Sequence, residues 1–174
     1  MIDFSSIKSP IEADLLISFF DLTNFIKISN SLSTLELFDA LSQFYELAGS
    51  VVEKSGGRVI KFIGDAGLAV FSEEYADAGV RSLIALQKET GRFFTARGLQ
   101  TRLIVKAHFG RAACGPLGTL SDKRIDVIGD AVNTAATLAS KGFAISPQVF
   151  RKLSAETRRY FAKLTPPITY ILSE

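Results

Sequence analysis

The sequence predicts an α+β fold, one antiparallel sheet with helices packed on it, and three observations lead there. Apolar runs of strand length stand at residues 15–20, 59–63 and 67–71, two stretches carry a helix-spaced apolar stripe, and a strand-like alternation follows the second stripe. Read in chain order these give β-α-β-β-α-β with additions at the C-terminal end, the order of a ferredoxin-like sheet. No Pro/Gly/Ser-rich stretch divides the 174 residues, enough for one domain with a full core. Residues 1–13, with Pro10 and scattered polar positions, read as an N-terminal arm, and 14–174 as a single domain.

The elements follow from local chemistry. Leu15, Leu16, Ile17, Phe19 and Phe20 make the first strand, which runs out at Asp21. After a turn through Thr23, Asn24 and Phe25, the pattern Ser33-Thr34-Leu35-Glu36 is a capping box that opens a helix. Leu37, Leu41, Phe44, Ala48 and Val51 form its apolar stripe, and Gly56-Gly57 ends it. The runs 59–63 and 67–71 flank Gly64-Asp65-Ala66, the spacing of a hairpin whose tip carries the acid. A second helix from about Glu73 has Ala76, Val80, Leu83, Ile84 and Gln87 on one face and ends near Arg97-Gly98. Leu103, Val105, Ala107 and Phe109 alternate with Arg102, Lys106 and His108 as in a strand with one buried face. Gly110, Gly115 and Gly118 then mark turns or close approaches. Shorter elements complete the chain: a helix at about 130–140, a strand at 143–145, a helix from Pro147 and a last strand near 168–172.

Composition narrows the partners. A hydrophobic fraction of 47% and a formal charge of +2 lack the concentrated basic field of a nucleic-acid binder, so no nucleic acid is expected. There is no charged-then-apolar leader and no long uninterrupted apolar run, so no membrane is expected either. The single cysteine, Cys114, has no disulfide partner within the chain, and the setting expected is reducing and cytoplasmic. His108, the only histidine, has no second histidine for a zinc site, and Cys114 among small residues reads as a packing thiol.

Asp21 and Asp65 each stand where an apolar strand runs out, so buried backbone fixes where two carboxylates project. Two such carboxylates suit hard divalent ions, Mg²⁺ or Mn²⁺, and a pair of these ions stabilises both the attacking and the leaving oxygen of a phosphoryl displacement. Either acid alone is what a turn commonly carries. A third segment, Ile125-Asp126-Val127-Ile128-Gly129-Asp130-Ala131-Val132-Asn133, turns from a strand end into a helix with an acid and an amide seven positions apart. Together the segments point to phosphoryl chemistry on a nucleotide.

Four motifs carry a family resemblance. Residues 16–25, ending in Phe20-Asp21-Leu22-Thr23-Asn24-Phe25, resemble the first metal motif of the class III nucleotidyl cyclases, the adenylyl and guanylyl cyclase catalytic domains. Gly56 through Asp65 is similar to the second. His108-Phe109-Gly110 through Gly115 and Gly118 is similar to the family's glycine-marked hairpin, and 126–135 to its helix-opening motif. The four occur in the family's order between about residues 14 and 140. The resemblance implies a homodimer with shared active sites, each taking its metal carboxylates from one subunit and its base-reading residues from the other. It assigns two Mg²⁺ or Mn²⁺ to Asp21 and Asp65 with the backbone carbonyl of Leu22, the purine to Lys61 and Asp126, and the ribose to Asn133. The implied reaction converts ATP to 3′,5′-cyclic AMP and pyrophosphate. ATP is favoured over GTP because adenine presents an acceptor at N1 and a donor at its amine, complementary to a lysine and an aspartate. Guanine reverses both, at about 1–3 kcal/mol per unsatisfied buried group.

The chain departs from the pattern in two places. Where the family carries an arginine that stabilises α-phosphate charge, four residues after the ribose asparagine, this chain has Thr137. Loss of such a donor typically costs about 10²–10³ in turnover, and Arg111, Arg124 or Lys141 are the cations considered as substitutes. In place of the family's Lys-Gly pair before the last strand, Lys163 precedes Leu164-Thr165-Pro166-Pro167 without a glycine, leaving Lys163 as the candidate for the outer phosphates. Two readings follow: an adenylyl cyclase of reduced activity, and a catalytically degenerate domain that binds nucleotide or dimerises as a regulatory module. A palm-type enzyme forming dinucleotides ranks below both, since the Gly-Gly-Asp-Glu-Phe type of loop is absent.

Overall fold

The computed structural model describes residues 2–4, 6–164 and 168–173. In chain order the elements are β1 (Ile11–Leu22), α1 (Phe25–Ser29), α2 (Thr34–Lys54), β2 (Gly57–Ile63) and β3 (Ala66–Ser72). A 3₁₀ turn (Glu73–Tyr75) leads into α3 (Ala76–Thr95), followed by β4 (Leu103–Gly118), β5 (Lys123–Ile128) and α4 (Asp130–Thr137). The chain closes with β6 (Phe143–Ile145), α5 (Pro147–Lys152), α6 (Ala155–Arg158), β7 (Phe161–Leu164) and β8 (Thr169–Leu172). The α+β class holds, with one refinement to the pairing. The sheet runs β2-β3-β1-β4-β6-β8-β7 with β5 on β4, and it is mixed rather than antiparallel throughout, because β6 joins β4 in parallel through Val105–Phe143, Lys106–Ala144 and Ala107–Ile145.

Both faces of the sheet are covered. Leu16, Phe20 and Leu22 of β1 point into a core shared with Phe44 and Val52 of α2 and with Val80 and Leu83 of α3. Leu15 and Ile17 point the other way, into a second core with Val70, Val127 and, from α4, Ala131 and Ala135. A strand buried on both faces reads as a continuous apolar run instead of an alternating one, which explains the pattern of residues 15–20. Phe4 belongs to that second core at 5% exposure and β1 already begins at Ile11, so the lead-in packs onto the domain before residue 14.

The capping box forms as written: the Ser33 side chain accepts from the Glu36 N–H and the Glu36 carboxylate accepts from the Ser33 N–H. α2 then presses aromatic rings onto the strand ends. Phe44 meets Phe20 and Phe62 edge-on at 6.4 Å, and Tyr45 lies flat on Phe62 at 3.8 Å. Phe20 in turn lies on the backbone of β3, where a Cβ at Gly67 would come within 2.3 Å of its ring; only glycine leaves that room. This ring cluster ties α2, the end of β1 and the β2–β3 turn into one unit.

His108 is buried at 8% exposure, its Nδ1 2.9 Å from the Ser146 hydroxyl, and Ser146 also caps α5 by accepting from the Val149 N–H. Burial pushes the imidazole below its ordinary value of 6.5. The unfolded chain therefore takes up this proton at higher pH than the folded one, and stability falls as pH drops below about 6.5 until the folded value is passed. Melting curves are expected to show the native protein losing stability relative to His108→Gln as pH falls from about 7 to about 5.5, with no pH-dependent divergence above about pH 7.

Candidate active site

The predicted residues gather into two groups. In the first, Asp21 is exposed near the end of β1, opposite Ile104 of β4, and Asp65 sits half-buried in the turn between β2 and β3. Gly64 takes the left-handed conformation at φ 60° that lets the turn close in two residues. The Leu22 N–H donates to Asp65 Oδ2 at 3.3 Å, a direct link from the turn to the end of β1. Burial pushes the Asp65 carboxyl above its usual range; its own N–H and that of Leu22 pull the other way, and the Asp21 charge adds to the rise. Asp21 and Asp65 are thus close enough to repel one another, and among the described residues neither forms an ion pair.

Two adjacent carboxylates with hard oxygen donors and no cationic partner have the donor set that Mg²⁺ or Mn²⁺ takes, completed by carbonyl oxygens and water. The described residues hold no cluster of three or more His, Cys, Asp or Glu side chains, so any ion held here draws the rest of its shell from backbone, water or substrate. Asp21 floors a pocket of about 130 Å³ whose walls include Phe19, Ala66, Ile104, Lys106 and Ala136.

Sequence reasoning missed Tyr45. Its hydroxyl donates to the Gly64 carbonyl at 2.5 Å while its ring stacks on Phe62, so α2 holds the Asp65 turn from outside. Burial raises the phenol's pKa, and the Asp65 charge raises it further. The signal was present, since Tyr45 neighbours Phe44 on the helix face toward the sheet, but the partner lies 19 residues on. Tyr45→Phe keeps the stack and removes one hydrogen bond, and is expected to lower folding stability by about 0.5–1.5 kcal/mol, as thermal melts would show.

The second group reads as a donor and an acceptor. Lys61 Nζ on β2 lies 2.6 Å from Asp126 Oδ2 on β5, with side-chain exposures of 42% and 21%. The other carboxylate oxygen accepts from the Val127 N–H at 2.8 Å, which fixes the plane of the group. Asn133 is exposed on α4, and among the described residues its side-chain amide makes no hydrogen bond. Thr137, one turn further, donates its hydroxyl back to the Asn133 carbonyl at 2.9 Å. A threonine bonded into its own helix presents no donor outward.

The structure does not bring Lys163 to either group within one chain. It lies exposed on β7, the sheet edge opposite β2, and residues 165–167, the rest of that motif, lie outside the described residues. Two of the considered substitute cations are engaged elsewhere. Arg111 pairs with Asp14 at 3.3 Å, seven residues back along β1 from Asp21 and so roughly 23 Å away. Arg124 pairs with Asp122 at 3.1 Å in the β4–β5 hairpin. Cys114 is buried at 1% exposure with its thiol pKa raised by burial, as a packing residue should be.

A family model described as the adenylate and guanylate cyclase catalytic domain matches residues 8–163. The chain is 28% identical over 130 residues to an adenylate cyclase of Anabaena cylindrica, covering 70% of this chain and 26% of that protein. It is 30% identical over 129 residues to adenylate cyclase 1 of Rhizobium meliloti, covering 69% and 19%. The chain thus spans about a quarter or less of the length of these two curated relatives. Among solved structures, the adenylyl cyclase CyaB from P. aeruginosa superposes with a TM-score of 0.82 at 20% identity, over 95% of this chain and 96% of that one. The guanylate cyclase domain of RhGC from Catenaria anguillulae, solved with GTP, gives 0.76 at 25% identity, over 88% and 87%.

Proposed function

The chain belongs to the adenylate and guanylate cyclase catalytic domain family, and from that premise we propose that it converts ATP to 3′,5′-cyclic AMP and pyrophosphate in a site shared by two copies of the chain. The single observation that carries the choice of ATP is the Lys61–Asp126 contact at 2.6 Å. It holds a donor beside an acceptor at a half-exposed surface, the complement of adenine's N1 and amine. Lys61 has two further N–H groups beyond the one given to Asp126, and each carboxylate oxygen of Asp126 has a second lone pair, so both engage a base without parting.

In this reading Asp21 and Asp65, with the Leu22 carbonyl, hold two Mg²⁺ or Mn²⁺, whose charge when bound stabilises the negative charge that builds on the phosphate oxygens. Lys61 and Asp126 hold adenine, and the Asn133 amide orients the ribose so that its 3′-oxygen faces the α-phosphorus. The 3′-oxygen forms a bond to that phosphorus, the bond to the bridging oxygen of the β-phosphate breaks, pyrophosphate leaves, and the 3′-hydroxyl proton passes to solvent.

Two observations support a shared site. Lys61, Asp126 and Asn133 are not among the residues lining the pocket at Asp21. Ile63, Leu117 and Ile128, beside the two groups, are 71%, 51% and 55% exposed, as an uncovered subunit face would leave them. No helix of the described residues is long and apolar enough to cross a membrane.

A second reading, a nucleotide-binding or dimerising regulatory module, is favoured by Thr137, whose hydroxyl is spent on its own helix. Purified protein with Mn²⁺ and ATP separates the two. The cyclase reading expects cyclic AMP and pyrophosphate in equal amounts, with GTP slower. ATP binding without product would favour the module.

A further inference from the structure

Lys106 lies beside the Asp21 pocket. On β4 it is paired with Phe19 of β1, two positions along from the Ile104–Asp21 pair, so its side chain leaves the sheet on the same face as that of Asp21. Its Nζ donates to the Ala136 carbonyl at 3.3 Å, in the last turn of α4 and one residue before Thr137. Lys106 lines the Asp21 pocket; the groove of about 1310 Å³ that it also borders holds this chain's own Thr137, whereas the shared site takes its Thr137 from the other copy. Among the described residues it is the one cationic side chain on the walls of the Asp21 pocket. Lys141 lines the groove but not the Asp21 pocket, while Arg111 and Arg124 are paired elsewhere.

We propose that Lys106 contacts the phosphates of the bound nucleotide from the aspartate-bearing half of the site, supplying the positive charge that Thr137 cannot supply from the helix side. The inference rests on the reading of Asp21 and Asp65 as the phosphate end of a nucleotide site. An ammonium carries three donors, and the Ala136 carbonyl, an exposed acceptor at 3.3 Å, takes one. That carbonyl belongs to a helix C-terminus, whose partial negative charge holds a lysine loosely in place, so the side chain stays beside the pocket with two N–H groups left for a ligand. Holding the end of α4 is the plain alternative role, and it affects folding stability rather than nucleotide.

The test compares native protein with Lys106→Met, Lys106→Gln and Lys106→Arg, measuring binding of ATP and of adenosine with Mn²⁺ together with cyclic AMP release. Lys106→Met and Lys106→Gln are expected to weaken ATP binding at least about tenfold with adenosine binding unchanged, and to lower turnover about 10²-fold. Lys106→Arg is expected to keep turnover within about tenfold of native, and Thr137→Arg added to Lys106→Met to restore at least tenfold. ATP binding and turnover unchanged in Lys106→Met and Lys106→Gln, with native protein active, would overturn the role of Lys106 and leave the cyclase reading standing. If native protein releases no cyclic product, the cyclase reading falls. ATP binding then decides alone: a tenfold loss confined to ATP supports the phosphate contact, and an unchanged affinity, or no ATP binding by native protein, overturns it. A fall in melting temperature without any change toward ATP would assign Lys106 to the helix end only.

Discussion

Asp65→Ala is expected to lower cyclic-nucleotide release by about 10³-fold while the protein stays folded. The carboxylate is half-buried in a two-residue turn, its pKa is raised by burial and by the Asp21 charge, and its fixed partner beyond the turn is the Leu22 N–H. Such a group is poorly stabilised where it stands and contributes little to folding. Truncation loses one long hydrogen bond and relieves the repulsion with Asp21, two effects of opposite sign that leave stability within roughly 1 kcal/mol of native. Asp65→Asn keeps the shape and removes the charge, and should be as inactive as the alanine variant if charge is what the site needs. Activity assays beside thermal melts check both halves of this expectation. Near-native turnover in either variant would remove Asp65 from the site.

Reversing the base-reading pair should reverse the preferred nucleotide. Lys61→Glu with Asp126→Asn places an acceptor against guanine N1–H and a donor against its O6, and sets the new carboxylate against the lone pair of adenine N1, while the asparagine amide can still turn its oxygen to adenine's amine. With the guanine mismatches relieved and one imposed on adenine, at about 1–3 kcal/mol each, the ratio of kcat/KM for ATP over GTP is expected to fall at least about 30-fold. Lys61→Glu alone should fare worse than the double variant on either nucleotide, because it sets two carboxylates together where Lys61 and Asp126 now meet at 2.6 Å. A ratio unchanged within a few-fold in the double variant would mean that the base is read elsewhere.

Local rules made much of this legible. Ser33 and Glu36 close the capping box as their spacing requires, Gly56 at φ 79° follows the end of α2, and Gly64-Asp65 forms the turn between β2 and β3. The four-motif order led to the family, which residues 8–163 match. What escaped depends on contacts distant in sequence. On an alternating strand Lys106 reads as a solvent-face residue, and its acceptor, Ala136, is 30 residues away. α4 covers the second face of the sheet because Ala131 and Ala135 are small enough to sit on β1 and β4, and two alanines give no strong apolar stripe. It also ends at Thr137, with Leu138 already extended at ψ 127°, where the composition of residues 138–140 allowed more helix. The short elements α6 and β7 are held by tertiary contacts such as Phe143 against Phe161, which propensity alone does not announce.

The shared site is the central claim, and mixing inactive chains tests it most directly. Asp65→Ala lacks the metal half and keeps Asn133, while Asn133→Ala lacks the ribose contact and keeps Asp65, so one site in each heterodimer would be intact. Equal mixing with free exchange makes half of the dimers mixed, each with one of two sites working, so about a quarter of native activity per chain is expected. No recovery, with heterodimers demonstrated by mass, would contradict a site built from two copies of this chain.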